Sequence, residues 1–75
     1  MDSMRIAETL QLAADTKTRD ADKKALIDML LIPLDETAEN MRQFLSGFFF
    51  NMMEKEPDKV ISVLLPLFVF LHQKQ

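Results

Sequence analysis

The stretch from Val60 to Leu71 limits most strongly how this chain can fold, because eleven of its twelve residues are apolar and only Ser62 is polar. Apolar side chains on every face of a helix must be covered on every face. A helix of twelve residues is about 18 Å long, too short for the roughly 30 Å hydrocarbon core of a bilayer. Abundant leucine and the lack of strict alternation favour a helix over a β-strand, the competing interpretation. We therefore predict a buried helix and no membrane span.

The charges and the aromatic residues are unevenly distributed along the 75 residues. Residues 1–40 carry nine acids and five bases, whereas residues 41–75 carry three acids, four bases and all six phenylalanines. A composition that is 48% hydrophobic is typical of a globular protein. The chain has no cysteine, and its first twenty residues have no apolar leader, so a reducing, cytoplasmic location is expected. With neither repeat nor linker, residues 1–75 are predicted to form one helical domain.

Two helices are predicted in the first half. The first covers about residues 3–14 and places Ile6, Leu10 and Ala13 on one face. The second begins near Asp20, whose carboxylate suits a helix N-terminus, and ends before Pro33. Its predicted apolar face consists of Ala25, Leu26, Met29 and Leu30.

Two further helices are predicted in the second half. Asp35 can cap the third, whose apolar residues recur at heptad spacing and should face the core: Ala38, Met41, Leu45, Phe48 and Met52. The opposite face is mainly polar: Gln43, Ser46, Gly47, Phe50 and Glu54. Pro57 suits the first turn of a fourth helix over residues 57–72, and Pro66 should bend that helix.

The second half contains more apolar side chains than a small domain is expected to bury. Residues 48–53 and 60–71 contain sixteen large ones, counting Pro66, and burying each is worth roughly 1.5–3 kcal/mol. We predict a compact all-α bundle of four short helices that self-associates, as a dimer in the first instance, through its C-terminal helices. Tight packing within the monomer is the alternative. The predicted interface comprises Gly47, Phe48, Phe50, Met53, Leu64, Leu67, Phe68, Phe70 and Leu71.

Gly47 falls inside a predicted helix, where glycine costs about 1 kcal/mol relative to alanine. Its presence therefore suggests that another backbone approaches it closely. Either the fourth helix packs there within the monomer, or a partner or second subunit packs there and Phe50 of this chain anchors the contact.

Catalytic and cofactor chemistry is poorly supported. His72 is the only histidine and is expected to be a solvated residue at a helix C-terminus. A zinc site needs three or four ligands, and a phosphate-binding loop needs more than one glycine. The three serines have neither a neighbouring histidine nor a glycine elbow. We predict no enzyme activity, no cofactor and no metal.

The predicted function is that of a non-enzymatic protein-interaction module, a regulator, adaptor or inhibitor of a larger protein. In size and composition alone the chain is similar to phage and mobile-element proteins that block host machinery. Its acidic first half should face a basic protein partner, with contacts from Glu8, Asp15, Asp22 and Asp28.

The alternative is a small DNA-binding regulator that uses the basic residues of segment 17–24, namely Lys17, Arg19, Lys23 and Lys24. Aspartates interleaved with these bases weaken the positive potential that phosphate contacts need, so nucleic acid is not the favoured partner. A peripheral membrane protein is also disfavoured, because few bases flank the last helix.

Overall fold

In a computed structural model, residues 2–34 and 39–73 are described, and these residues form four α-helices without a β-strand. This confirms the predicted all-α class and the helical interpretation of residues 60–71. The helices are α1 (Ser3–Ala14), α2 (Asp20–Leu30), α3 (Glu39–Lys55) and α4 (Val60–Gln73), with short 3-10 turns at Ile32–Leu34 and Pro57–Lys59.

Local signals set the beginning and end of the first two helices. The Asp2 carboxylate accepts a 2.9 Å hydrogen bond from the backbone amide of Arg5 and thereby caps α1. Asp20 and Asp22 lie in the first turn of α2, where the helix dipole favours negative charge. The helix ends at the third residue before Pro33, which restricts the backbone that precedes it.

A sharp connection joins α3 to α4. The backbone amide of Glu56 donates to the carbonyl of Met52 at 2.7 Å, and Pro57 opens the 3-10 turn that leads into α4. The helix then continues through Pro66. The predicted N-cap Asp35 and the seam residue Ala38 lie outside the described residues.

All four helices contribute to the hydrophobic core, with α1 at its centre. Helix α1 packs against α2 and α4, while α3 packs mainly on α2. The rings of Phe49 and Phe68 meet edge to face, with centroids 5.2 Å apart. The buried apolar residues are Ile6, Leu10, Ala13, Ile27, Leu30, Leu31, Phe49, Met53, Val60, Leu64 and Phe68.

Helix α3 turns a different face to the core from the one predicted. Its buried residues are Ser46, Phe49 and Met53, whereas Met41 and Phe48 of the predicted seam are 56% and 50% exposed. Ser46 tolerates burial because its hydroxyl donates a 2.9 Å hydrogen bond to Asp28 on α2. The heptad pattern is therefore present, but much of it lies on the outside of the molecule.

The predicted apolar face of α2 is also partly wrong. Leu30 is buried as expected, but Ile27 and Lys23 complete the buried face. Ala25 and Met29 are exposed. The inward face of α2 is centred on Ile27, which lies one helical turn from both Lys23 and Leu30.

Candidate interaction surfaces

An exposed apolar stripe runs along α3 and consists of Met41, Phe44 and Phe48, here called the α3 stripe. Phe44 is 70% exposed, and its ring stacks on that of Phe48 at a centroid distance of 6.5 Å. Leu45 and Met52 are half-buried on the same side of the helix. The stripe therefore forms one continuous apolar surface about two helical turns long, which Met52 extends by one further turn.

The α3 stripe is connected to the core through aromatic contacts. Phe48 meets the buried ring of Phe49 edge to face at 5.7 Å, and Phe49 in turn contacts Phe68 of α4. The position of Phe44 and Phe48 is therefore set by rings that the core holds in place.

A second exposed apolar face lies on α4 and consists of Val63, Leu67 and Phe70, here called the α4 stripe. Val63 and Leu67 are each about half exposed, and Phe70 is 58% exposed. Their spacing of four and three residues places them on one side of the helix.

The predicted interface residues divide into three groups. Met53, Leu64 and Phe68 are buried in the core of the single chain, so they are not accessible on its surface, and their role in an interface stays a prediction. Met53 lies four residues after the buried Phe49 of α3, and Leu64 and Phe68 follow the buried Val60 of α4 at intervals of four residues, so they share the inward faces of these helices.

The other six predicted interface residues reach the surface to different degrees. Phe50 and Leu71 are half-buried, while Gly47, Phe48, Leu67 and Phe70 are exposed. Met41, which the heptad spacing predicts to face the core, is exposed, and so is Phe44.

An open groove of about 500 Å³ lies between α2 and α3, with Gly47 in its wall. A Cβ atom added to Gly47 would meet nothing within 4 Å, so the expected close approach of α4 does not occur among the described residues. The groove is lined by Lys24, Asp28, Arg42, Gln43, Ser46, Gly47 and Phe50.

Polar contacts join the two walls of this groove. Asp28 accepts the hydrogen bond from Ser46 and lies 3.9 Å from Nη1 of Arg42. Within α3, Nη2 of Arg42 also lies 3.6 Å from the carboxylate of Glu39. The two contacts made by Asp28 hold α3 against α2, so Asp28 has a structural role whether or not a partner binds.

The four acidic residues predicted to bind a partner do not gather into one patch. Asp22 and Asp28 are six residues apart on α2 and therefore point to different sides of it. Asp22 pairs with Arg19 at 3.4 Å, and Asp15 accepts a bond from the amide of Lys17. Glu8 is exposed on α1. Their role in partner binding stays a prediction.

Lys23 was expected on a basic surface but is buried. It is 3% exposed, and its Nζ donates hydrogen bonds of 2.7 Å to the carbonyl of Ala13 and 2.6 Å to that of Asp15. It thereby supplies donors to carbonyls at the end of α1, where a basic group also suits the helix dipole. This burial removes one of the four bases on which DNA binding depended.

His72 is likewise not a solvated side chain at the end of the chain's last helix. Its Nε2 lies 3.0 Å from the carbonyl oxygen of Leu30, and because a carbonyl only accepts, Nε2 is the donor. The contact joins the C-terminal turn of α4 to that of α2.

Among the described residues, no cluster of three or more histidine and carboxylate side chains is arranged to hold a metal ion. In the same part of the chain, every helix falls short of the length and hydrophobicity that crossing a membrane requires.

No protein-family model, no curated protein and no solved structure matches this chain.

Proposed function

We propose that this protein is a non-enzymatic protein-interaction module that self-associates through the α3 and α4 stripes and acts as a regulator, adaptor or inhibitor of a larger protein. The observation that carries the proposal is the exposure of phenylalanine. Phe44, Phe48 and Phe70 are 70%, 50% and 58% exposed, although the chain has only six such residues.

The α3 stripe alone leaves a considerable apolar area in water. The exposed parts of Phe44 and Phe48 together equal slightly more than one whole phenylalanine side chain, about 200 Å². At roughly 25 cal/mol per Å², covering that area is worth about 5 kcal/mol per copy. Contiguous exposed aromatic residues can mark an interaction site.

The polar groups inside the fold support a binding role over a chemical one. Lys23 donates to carbonyls at the end of α1, Ser46 donates to Asp28, and His72 donates to the carbonyl of Leu30. Each of these side chains joins two helices. These three side chains are thus used in holding the bundle together.

The proposal is tested by gel filtration coupled to light scattering across the micromolar concentration range. We expect the mass to rise from 8.7 kDa toward twice that value as the concentration increases. Phe48→Gln and Leu67→Gln should each weaken association, because each removes apolar area from one stripe.

Leu12→Gln is the matched control for these two variants. Leu12 is 54% exposed on α1, and therefore similar in exposure to Phe48 and Leu67, but it lies outside both stripes. Its replacement should leave association unchanged. A mass of 8.7 kDa for the unmodified protein at every concentration would refute self-association.

A further inference from the structure

We propose that the α3 helices of two copies of this chain pair in antiparallel orientation, with Phe48 at the two-fold axis. This inference rests on the proposed self-association and specifies its geometry. It depends on the α3 stripe alone.

The spacing of the exposed residues indicates that the occupant of the stripe is another helix. Met41, Leu45, Phe48 and Met52 follow one another at intervals of four, three and four residues, which is the a/d repeat of paired helices. Within the single chain Met41 and Phe48 of this repeat are exposed, and Leu45 and Met52 are half-buried at the edge of the core, because Phe49 and Met53 face the core instead. A second copy supplies a helix of matching length and apolar character.

The absence of charge along the stripe favours a copy of the same surface as the partner. Between Met41 and Met52 this side of α3 carries only apolar residues and Asn51, and the first charged residue is Lys55. A parallel pair would place the two Lys55 side chains next to each other. An antiparallel pair separates them and also opposes the two helix dipoles.

An antiparallel pair centred on Phe48 brings apolar side chains together at its middle, while Met41 at each end lies opposite Lys55 of the second copy. The two Phe48 rings meet at the axis, and Phe44 lies opposite Met52 of the second copy. Methionine sulfur and an aromatic ring form a favourable contact. Leu45 lies opposite Asn51, whose polar amide sits toward the edge of the contact.

The area involved sets the expected strength of the pair. The two rings contribute about 200 Å² per copy, and Met41 with the half-buried neighbours adds less than that. The total lies below the roughly 800 Å² per partner of a stable complex. We therefore expect a weak, transient pair.

Spin labels distinguish the two orientations directly. The chain has no cysteine, so Asn40→Cys and Lys55→Cys each provide a single site for a nitroxide on the exposed surface near opposite ends of α3. In the antiparallel pair, labels at the same position lie roughly 20–25 Å apart along the axis, since each site is seven or eight residues from Phe48.

A mixture of the two labelled proteins provides the complementary measurement. The antiparallel pair predicts an additional short distance near the roughly 8–10 Å separation of packed helices, between position 40 of one copy and position 55 of the other. A parallel pair predicts short distances in each unmixed sample, and the mixture then shows no short distance beyond those. That second result would overturn the proposed geometry.

Variants separate this inference from the proposed function. Phe44→Gln should raise the dissociation constant at least tenfold, whereas Leu12→Gln should leave it unchanged, with helicity checked by circular dichroism. If Leu67→Gln abolishes association and Phe44→Gln has no effect, the α3 pair is wrong and self-association stands. A protein that stays monomeric throughout overturns both.

Discussion

Replacing Lys23 with methionine removes a buried terminal amine while keeping an unbranched side chain of similar length. In the native protein, Nζ donates to the carbonyl oxygens of Ala13 and Asp15 at 2.7 and 2.6 Å. The thioether cannot donate, so both carbonyls at the end of α1 lose this donor. We expect the variant to fold with a lower free energy of unfolding.

The size of the expected loss in unfolding free energy follows from how deeply the two carbonyl acceptors are buried. The bond to Ala13 is buried and the bond to Asp15 partly buried. An unsatisfied buried acceptor costs about 1–3 kcal/mol, whereas water can replace the donor at Asp15. The variant no longer has to bury a basic group, and this gain offsets part of the loss in unfolding free energy. A net loss of about 2 kcal/mol corresponds to a fall in Tm of roughly 8–16 °C for a domain of this size.

Urea unfolding followed by circular dichroism measures this difference. Lys24→Met is the matched control, because Lys24 is the next residue of α2 and is exposed. Its effect should stay within about 0.5 kcal/mol. If the two variants unfold at the same urea concentration, the bonds from Lys23 do not stabilise the end of α1 and the reasoning is wrong.

Two further predictions concern the groove and the aromatic rings. Gly47→Ala should raise the free energy of unfolding by about 0.5–1 kcal/mol, because alanine loses less backbone entropy than glycine when a helix forms. The added methyl group meets no atom within 4 Å, and a lower urea midpoint would contradict that open space. Phe68→Ala should cost about 3–5 kcal/mol, because Phe68 is buried in the core. Phe44→Ala, measured at a concentration where the protein is monomeric, should cost less than about 1 kcal/mol, and equal losses in the two thermal melts would show that the burial is misassigned.

The extents of the first helices could be predicted because short-range signals determine them. The apolar residues Ile6, Leu10 and Ala13 recur at helical spacing, and the structure places all three in the core. Asp20 begins α2, and Pro33 follows its end, as their side-chain chemistry requires. These signals act within a few residues and need no knowledge of the neighbouring helices.

The buried face of α3 could not be predicted in the same way. Apolar residues surround much of this helix, so both the Met41–Phe48 face and the Phe49–Met53 face satisfy helical periodicity. The face of α3 that is buried is the one that carries Ser46, which forms a tertiary hydrogen bond with Asp28, 18 residues earlier. A single sequence provides no signal for that contact.

The burial of Lys23 was missed for a related reason. A lysine among aspartates and other bases is typical of a surface, because charged side chains are almost never fully buried without a partner. Its partners here are backbone carbonyls ten and eight residues earlier, which become available only when α1 packs on α2. The excess of apolar residues was evident in the sequence, but its distribution between core and surface depends on that packing.

The contacts made by Lys23 and His72 have a consequence for how the molecule opens. Lys23 of α2 binds a carbonyl at the end of α1, and His72 of α4 binds a carbonyl at the end of α2. These three helices should therefore unfold as one cooperative unit. Helix α3 is attached through fewer contacts and should detach at a lower cost than global unfolding. Helix α3, which has the most exposed aromatic surface, is thus the helix whose local opening should cost the least free energy.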